Sequence, residues 1–197
     1  MKKIGITGGV GCGKSAVMAY IASNYDAVTV LADEAGRKLM EPDGACYLPV
    51  VELFGSGILR EDGSLDRKRI AAEIFRDEKK RARLNAIIHP AVRRLILQEE
   101  DRAEKEGHGW FFLEAALLIE EDYRAVLDEL WYIYAEDSVR RRRLAFSRGY
   151  SDEKITSIMN SQLSEEEFRK NCDFVIDNSG DFADTAAAID RRMHSGR

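Results

Sequence analysis

Gly8-Gly9-Val10-Gly11-Cys12-Gly13-Lys14-Ser15 stands between a short apolar run, Ile4 to Ile6, and a stretch of helical composition. Its pattern is G-x-x-x-x-G-K-S. Glycines at these positions let the backbone curl until its N–H groups point inward at phosphate oxygens, and a helix beginning near Lys14 adds the positive end of its dipole. Lys14 then reaches the β- and γ-phosphates, while the Ser15 hydroxyl is placed to ligate Mg²⁺. A glycine turn without a ligand is the alternative. Strand, loop and helix follow one another here in the order that phosphate binding requires, which favours the first reading.

Working outward, four further apolar, β-rich runs follow the one that ends in Thr7: Val28 to Leu31, Trp110 to Leu113, Leu130 to Tyr134 and Phe174 to Ile176. Helical stretches separate them. Strands alternating with helices predict an α/β fold with a parallel sheet, and ligands of such sheets bind beyond the carboxyl ends of the strands. Gly8 onward, Asp33 and Glu114 are therefore expected at one edge. The interval from Glu34 to Gly109 lacks a comparable strand and reads as a helical insertion, with helices around Leu65 to Phe75, Lys79 to Ile88 and Ala91 to Lys105. Turns are expected at Gly55-Ser56-Gly57 and Glu61-Asp62-Gly63-Ser64, a helix cap at Asp66, and a capping box at Ser164 and Glu167. Asn178-Ser179-Gly180 closes the last strand.

At 197 residues the chain holds one substantial core, with room for an inserted helical subdomain. A net charge of −5 argues against a surface that coats nucleic acid, so small, specific partners are expected. Cys12, Cys46 and Cys172 are odd in number and form no C-x-x-C pair, which argues against a disulfide framework or a zinc site and fits a reducing cytoplasm. No signal-peptide region or run of membrane-spanning length is read from the sequence.

A phosphate loop serves kinases, GTPases and ATP-driven motors alike, so the remaining polar groups must choose among them. Asp33 follows the second run, where a carboxylate can accept a hydrogen bond from an attacking hydroxyl or help to hold Mg²⁺; capping the next helix is its other reading. Glu114 ends the third run either as an acid facing the metal site or as a surface carboxylate. Arg140, Arg141, Arg142 and Arg143 cannot share one face at ~100° per residue, so some must be solvated. With Arg148 they make a lid that supplies charge to phosphoryl oxygens; a nucleic-acid patch lacks aromatic or lysine-rich support. His89 alone reads as a capping or packing residue, with Pro90 in the first turn of a new helix. Cys12 sits where the helix end and Lys14 are expected to lower its thiol pKa and make it vulnerable to alkylation.

Several pieces in fixed order resemble the dephospho-coenzyme A kinase family. They are Ile6 to Ser15; Ala32-Asp33 with Arg37; Leu84-Asn85-Ala86-Ile87-Ile88-His89-Pro90; Leu117-Leu118-Ile119-Glu120; Arg143 and Arg148; Gln162; and Asp173-Phe174-Val175-Ile176-Asp177-Asn178. Leu31, Ala116 and Ala16 depart from the family pattern, replacing an aspartate, a proline and a hydroxyl residue.

The resemblance implies a three-layer α/β/α fold like that of phosphate-loop NTPases and nucleoside monophosphate kinases, with a mostly parallel five-stranded sheet. It implies one kinase domain over 1–197, an acceptor-binding insertion over about 34–109 and a lid over about 138–165. The implied reaction moves the γ-phosphoryl of ATP to the ribose 3′-hydroxyl of dephospho-coenzyme A, with Mg²⁺. Asp33, Lys14, Arg143 and Arg148 would be catalytic. Gly9, Val10, Gly11, Cys12, Gly13, Lys14, Ser15, Ala16 and Asn178 would bind nucleotide, Ser15 would hold the metal, and Asp33, Arg37 and His89 would bind the acceptor. The implied protein is cytoplasmic, a monomer or weak homo-oligomer, without a nucleic-acid or membrane partner. Another phosphate-loop small-molecule or nucleoside monophosphate kinase shares these features. A nucleotide-binding switch without transferase activity is the reading from a different class.

Overall fold

The computed structural model describes residues 1–115, 118–119 and 123–195. Ala116, Leu117 and Glu120 lie outside the described residues. Five strands form one sheet: β1 (Lys2–Thr7), β2 (Ala27–Leu31), β3 (Trp110–Glu114), β4 (Glu129–Tyr134) and β5 (Phe174–Asp177), in the order β2-β3-β1-β4-β5. All five begin or end within one residue of the apolar runs that predict them. β1 pairs in parallel with β3 and β4, and β4 with β5. A parallel sheet is covered on both faces, so its strands read as continuous apolar runs; Trp110, Phe111, Phe112 and Leu113 are accordingly all buried. Gly5 in β1 leaves room for its neighbours, since a Cβ there would lie 2.5 Å from Leu130 and 2.9 Å from Leu118. Strand order reverses on either side of β1, and the crevice beyond Thr7 is where such a sheet takes its ligand.

The chain divides into two compact units, Met1–Thr29 with Ala103–Arg197, and Val30–Arg102. In the first, helices α1 (Lys14–Asn24), α6 (Asp137–Arg148), α7 (Asp152–Asn160), α8 (Glu165–Asn171) and α9 (Phe182–Ser195) accompany the strands. Ser164 and Glu167 make the expected capping box of α8. α9 is tied to α1 through Asp190, which accepts from the Tyr20 hydroxyl at 2.9 Å and the Tyr25 hydroxyl at 2.5 Å. Near the amino ends of the strands, the Glu129 carboxylate takes the Lys2 ammonium at 2.7 Å, the Arg192 guanidinium at 2.7 Å and the Trp131 indole N–H at 2.8 Å. Trp131 also meets Phe112 and Phe174 edge to face, at ring separations of 5.5 Å each. Lys2 and Arg192 lie over Trp110 and Phe174, so the same cations serve the carboxylate and the aromatic rings.

The second unit contains α2 (Ala32–Leu39), α3 (Tyr47–Phe54), α4 (Arg67–Arg76) and most of α5 (Glu78–Lys105). Its core gathers Cys46, Val50, Ile58, Leu65, Ile70, Leu84 and Ala91. Asp66 caps α4, accepting from the Lys68 and Arg69 N–H groups at 3.0 and 3.2 Å. The Gly55-Ser56-Gly57 turn continues as one turn of 3₁₀-helix, Ser56–Ile58. The two helices expected on either side of His89-Pro90 are one helix of 28 residues with Pro90 inside it. An interior proline costs about 3 kcal/mol. Packing overrides it: Ile88 and Val92, before and after the proline, both lie against Gly36 of α2, and Leu84, Ala91 and Ile96 are buried along the same helix.

Burial pushes the Glu129 carboxyl up, but hydrogen bonds from Lys2, Trp131 and Arg192 outweigh it and hold the pKa at about 2. A depressed folded-state pKa gives stability that is present above the ordinary value of 4.5 and lost as pH falls toward 2. Urea unfolding should therefore show Glu129→Gln less stable than wild type at pH 7, with the gap closing between pH 4.5 and 2. A gap unchanged by acid would remove the ion cluster from the stability of the sheet.

Candidate active site

The loop begins where β1 ends. Gly8 and Gly13 adopt φ angles of 144° and 97°, the region that L side chains avoid. At both positions a Cβ would also collide with fixed groups, the Ile133 carbonyl oxygen for Gly8 and the Asn178 amide for Gly13. Gly13 is the N-cap of α1 and gives it no side-chain cap. An uncapped helix N-terminus presents N–H donors and a positive dipole end, a ready anion site. Ser15 and Ala16 are exposed on the first turn of this helix.

Lys14 folds back over the loop. Its ammonium donates to the Gly8 carbonyl at 2.7 Å and lies 3.7 Å from the Glu114 carboxylate at the end of β3. Parallel pairing sets this meeting, because Glu114 is in register with Ile6, two residues before the loop. Glu114 is 9% exposed, so it is not the surface carboxylate of the alternative reading. Asn178, directly after β5, is buried; its amide donates to the Cys12 carbonyl at 2.7 Å and accepts from the Thr185 hydroxyl at 2.9 Å.

The arginine run separates by helical phase. Arg143 donates to the Cys12 carbonyl at 3.2 Å and the Asn178 carbonyl at 2.8 Å. Arg140, one turn earlier, donates to the Val10 carbonyl at 3.0 Å and to the Gln162 side chain at 2.9 Å. Arg141 instead reaches Asp152 and Thr156 on α7, both at 2.8 Å, and Arg142 is exposed. Arg148 is exposed at the end of α6, where its hydrogen bond lowers the pKa of the Tyr150 phenol. Lys14, Glu114, Arg143 and Asn178 are thus brought together around the loop, and Arg148 turns to Tyr150. Arg140 was not singled out from the sequence. Its i, i+3 spacing to Arg143 was the available signal.

Asp33, Arg37 and His89 belong to the second unit. Asp33 is exposed in the first turn of α2, and Leu31, not Asp33, is the N-cap of that helix. Arg37 is exposed four residues on, on the same helix face. His89 is exposed on α5.

Cys12 departs from expectation. It is 1% exposed, and burial pushes its thiol up despite the nearby Lys14 and Arg140 charges that lower it. Desolvation disfavours a thiolate more than the helix end and the lysine favour it. Iodoacetamide should leave Cys12 unlabelled in the folded protein and label it in urea, as read by peptide mass spectrometry. Rapid labelling of the folded protein would contradict this placement.

Comparison with known proteins fits this geometry. The dephospho-CoA kinase family model matches residues 2–184. Similar curated proteins include the dephospho-CoA kinase of Corynebacterium diphtheriae, 38% identical over 180 residues (91% of this chain, 90% of the relative), and that of Shouchella clausii, 34% identical over 178 residues (90% of each). Among solved structures, TT1252 from Thermus thermophilus superposes with a TM-score of 0.84 at 30% identity, covering 98% of this chain and 97% of that one. A shikimate kinase from Bacteroides thetaiotaomicron, with a TM-score of 0.56 at 12% identity over 98% of this chain and 96% of its own, shares the fold alone. The chain belongs to the dephospho-CoA kinase family, and it is a kinase of the phosphate-loop fold.

Proposed function

We propose that this chain transfers the γ-phosphoryl group of ATP to the ribose 3′-hydroxyl of dephospho-coenzyme A, giving coenzyme A and ADP, with the Gly8–Ser15 loop as the donor site. The observation that carries this reading is the uncapped N-terminus of α1 beneath a loop over which Lys14 is folded. Lys14 would exchange its bond to the Gly8 carbonyl for phosphate oxygens, a stronger, charge-assisted contact. Gly9 to Ala16 would surround the phosphates, and Asn178 would hold the loop from behind. Arg143 spends two hydrogen bonds on carbonyls of the site. A guanidinium has five N–H donors, so others remain for the charge that develops on the transferring group. Arg148 would join it when the lid over about 138–165 closes.

Mg²⁺ fits the residues present. Among the described residues no group of three His, Cys, Asp or Glu could hold a metal, yet Mg²⁺ in kinases keeps phosphate oxygens and waters and needs few protein ligands. Ser15, exposed on the first turn of α1, is the hydroxyl that would hold it. When bound, the ion would neutralise charge between the β- and γ-phosphates.

Asp33 would orient or deprotonate the attacking hydroxyl, and Arg37 and His89 would bind the acceptor. The insertion over about 34–109 would close on the acceptor and exclude water that would otherwise hydrolyse ATP. Among the described residues no helix is long and apolar enough to cross a membrane. Membership of this kinase family supports small-molecule partners, and the reaction would take place in the cytoplasm on a monomer or weak homo-oligomer.

Incubation with ATP, Mg²⁺ and a panel of hydroxyl acceptors, with products identified by mass, tests the reading. Phosphorylated dephospho-coenzyme A is expected, and a different preferred acceptor would overturn it. Asp33→Asn should retain ATP binding and lower turnover by roughly two powers of ten, the scale of a lost general base. Lys14→Ala should weaken nucleotide binding and transfer together, whereas normal activity would refute the donor site.

A further inference from the structure

Val10 is gripped through both of the peptide groups that flank it, by side chains more than a hundred residues away. Its N–H donates to the Gln162 side-chain carbonyl at 3.0 Å, and its own carbonyl accepts from Arg140 Nε at 3.0 Å. The two gripping side chains also hold each other, because Arg140 Nη2 donates to the same Gln162 oxygen at 2.9 Å. A closed ring of three hydrogen bonds results. An amide oxygen has two lone pairs, and here both are used. Gly9 completes the fit: a Cβ there would lie 2.7 Å from Arg140 Cζ, so the guanidinium occupies the space a side chain would need.

We infer that Gln162 is a positioning residue for phosphoryl transfer, its side-chain carbonyl fixing the crown of the phosphate loop at Val10. This rests on the loop being the nucleotide site. A peptide of a glycine-rich loop is free to flip, and each flip exchanges an inward N–H for a carbonyl that repels phosphate. Gln162 accepts from the N–H of the Gly9–Val10 peptide and Arg140 donates to the carbonyl of the Val10–Gly11 peptide, so each of these two successive peptide groups is held in one orientation, and the Arg140–Gln162 bond couples them. Gln162 is itself placed by a regular element. It follows Ser161, the C-cap of α7, and its backbone N–H donates to the Met159 carbonyl at 3.2 Å. α7 is fixed in turn by Arg141 at Asp152 and Thr156. The loop therefore takes its shape from the α6–α7 hairpin, with Gln162 as the contact beyond α7 beside Arg140 and Arg143 of α6.

Gln162→Met keeps the volume and removes the acceptor; Gln162→Asn keeps the amide but is one methylene short. Gln162→Glu keeps an oxygen at the same reach, able to accept from both donors. Binding of ADP by calorimetry, KM for ATP and for the acceptor, and thermal midpoint should be measured for each. The Met and Asn variants should weaken ADP binding and raise KM for ATP roughly tenfold, the scale of one charge-assisted hydrogen bond. KM for the acceptor should stay within about twofold, and Gln162→Glu should recover most of the loss. ADP binding equal to wild type in the Met and Asn variants would overturn the inference. So would an equal loss for both substrates with a lowered thermal midpoint, the mark of a structural role. If wild type fails to bind ADP, the donor-site reading falls first and takes this inference with it.

Discussion

A loop in which four of eight residues are glycine has few side chains with which to hold its own shape, chiefly Lys14 over the Gly8 carbonyl. Here that shape is imposed from outside, by hydrogen bonds to backbone atoms. Asn178 and Arg143 hold the Cys12 carbonyl, and Arg140 and Gln162 hold the two peptide groups that flank Val10. The glycines make the conformation allowed; four distant polar side chains select it. Their placement depends on the sheet and its helices, since Asn178 follows β5 and Arg140 and Arg143 lie one turn apart on α6. Even Asn178 is secured from behind, by the Thr185 hydroxyl of α9.

Stability and chemistry are concentrated at opposite ends of the strands. Near the amino ends, Glu129 gathers Lys2, Arg192 and Trp131 beside a chain of packed aromatic rings. Near the carboxyl ends lie the loop, Glu114 and Asn178, with exposed donors at the start of α1. Ligands of open α/β sheets bind at the carboxyl edge. The opposite edge can then be tied down without touching the site.

Local features of this chain were legible from sequence, and long-range ones were not. The central strands β1, β3 and β4 could be read because burial on both faces makes each a nearly continuous apolar run, and the half-buried edge strands β2 and β5 because they keep short β-branched and aromatic stretches. Asp66 and the Ser164–Glu167 box could be read because a cap joins residues three positions apart. Pro90 misled, since propensity speaks for the isolated helix while the contacts of Ile88 and Val92 with Gly36 decide its continuation. Cys12 misled for a related reason: the helix end and Lys14 are visible nearby in sequence, whereas the burial that raises its thiol pKa comes from the assembled fold. In the arginine run, charge was evident and helical phase was not. Only the positions of Val10, Gln162 and Asp152 in space assign Arg140 and Arg141 to different partners.

Asn178 gives the site a point of chemical sensitivity, since the loop depends on its amide N–H. Side-chain amides of asparagine are among the thermolabile groups of proteins, and this one is followed by Ser179 and Gly180. Hydrolysis to aspartate would replace the donor facing the Cys12 carbonyl with an oxygen that repels it, and would leave Arg143 the remaining restraint on that carbonyl. Burial and the Thr185 bond hold the amide away from water and keep it from turning. The donor that fixes the Cys12 carbonyl is thus shielded by the same packing that orients it.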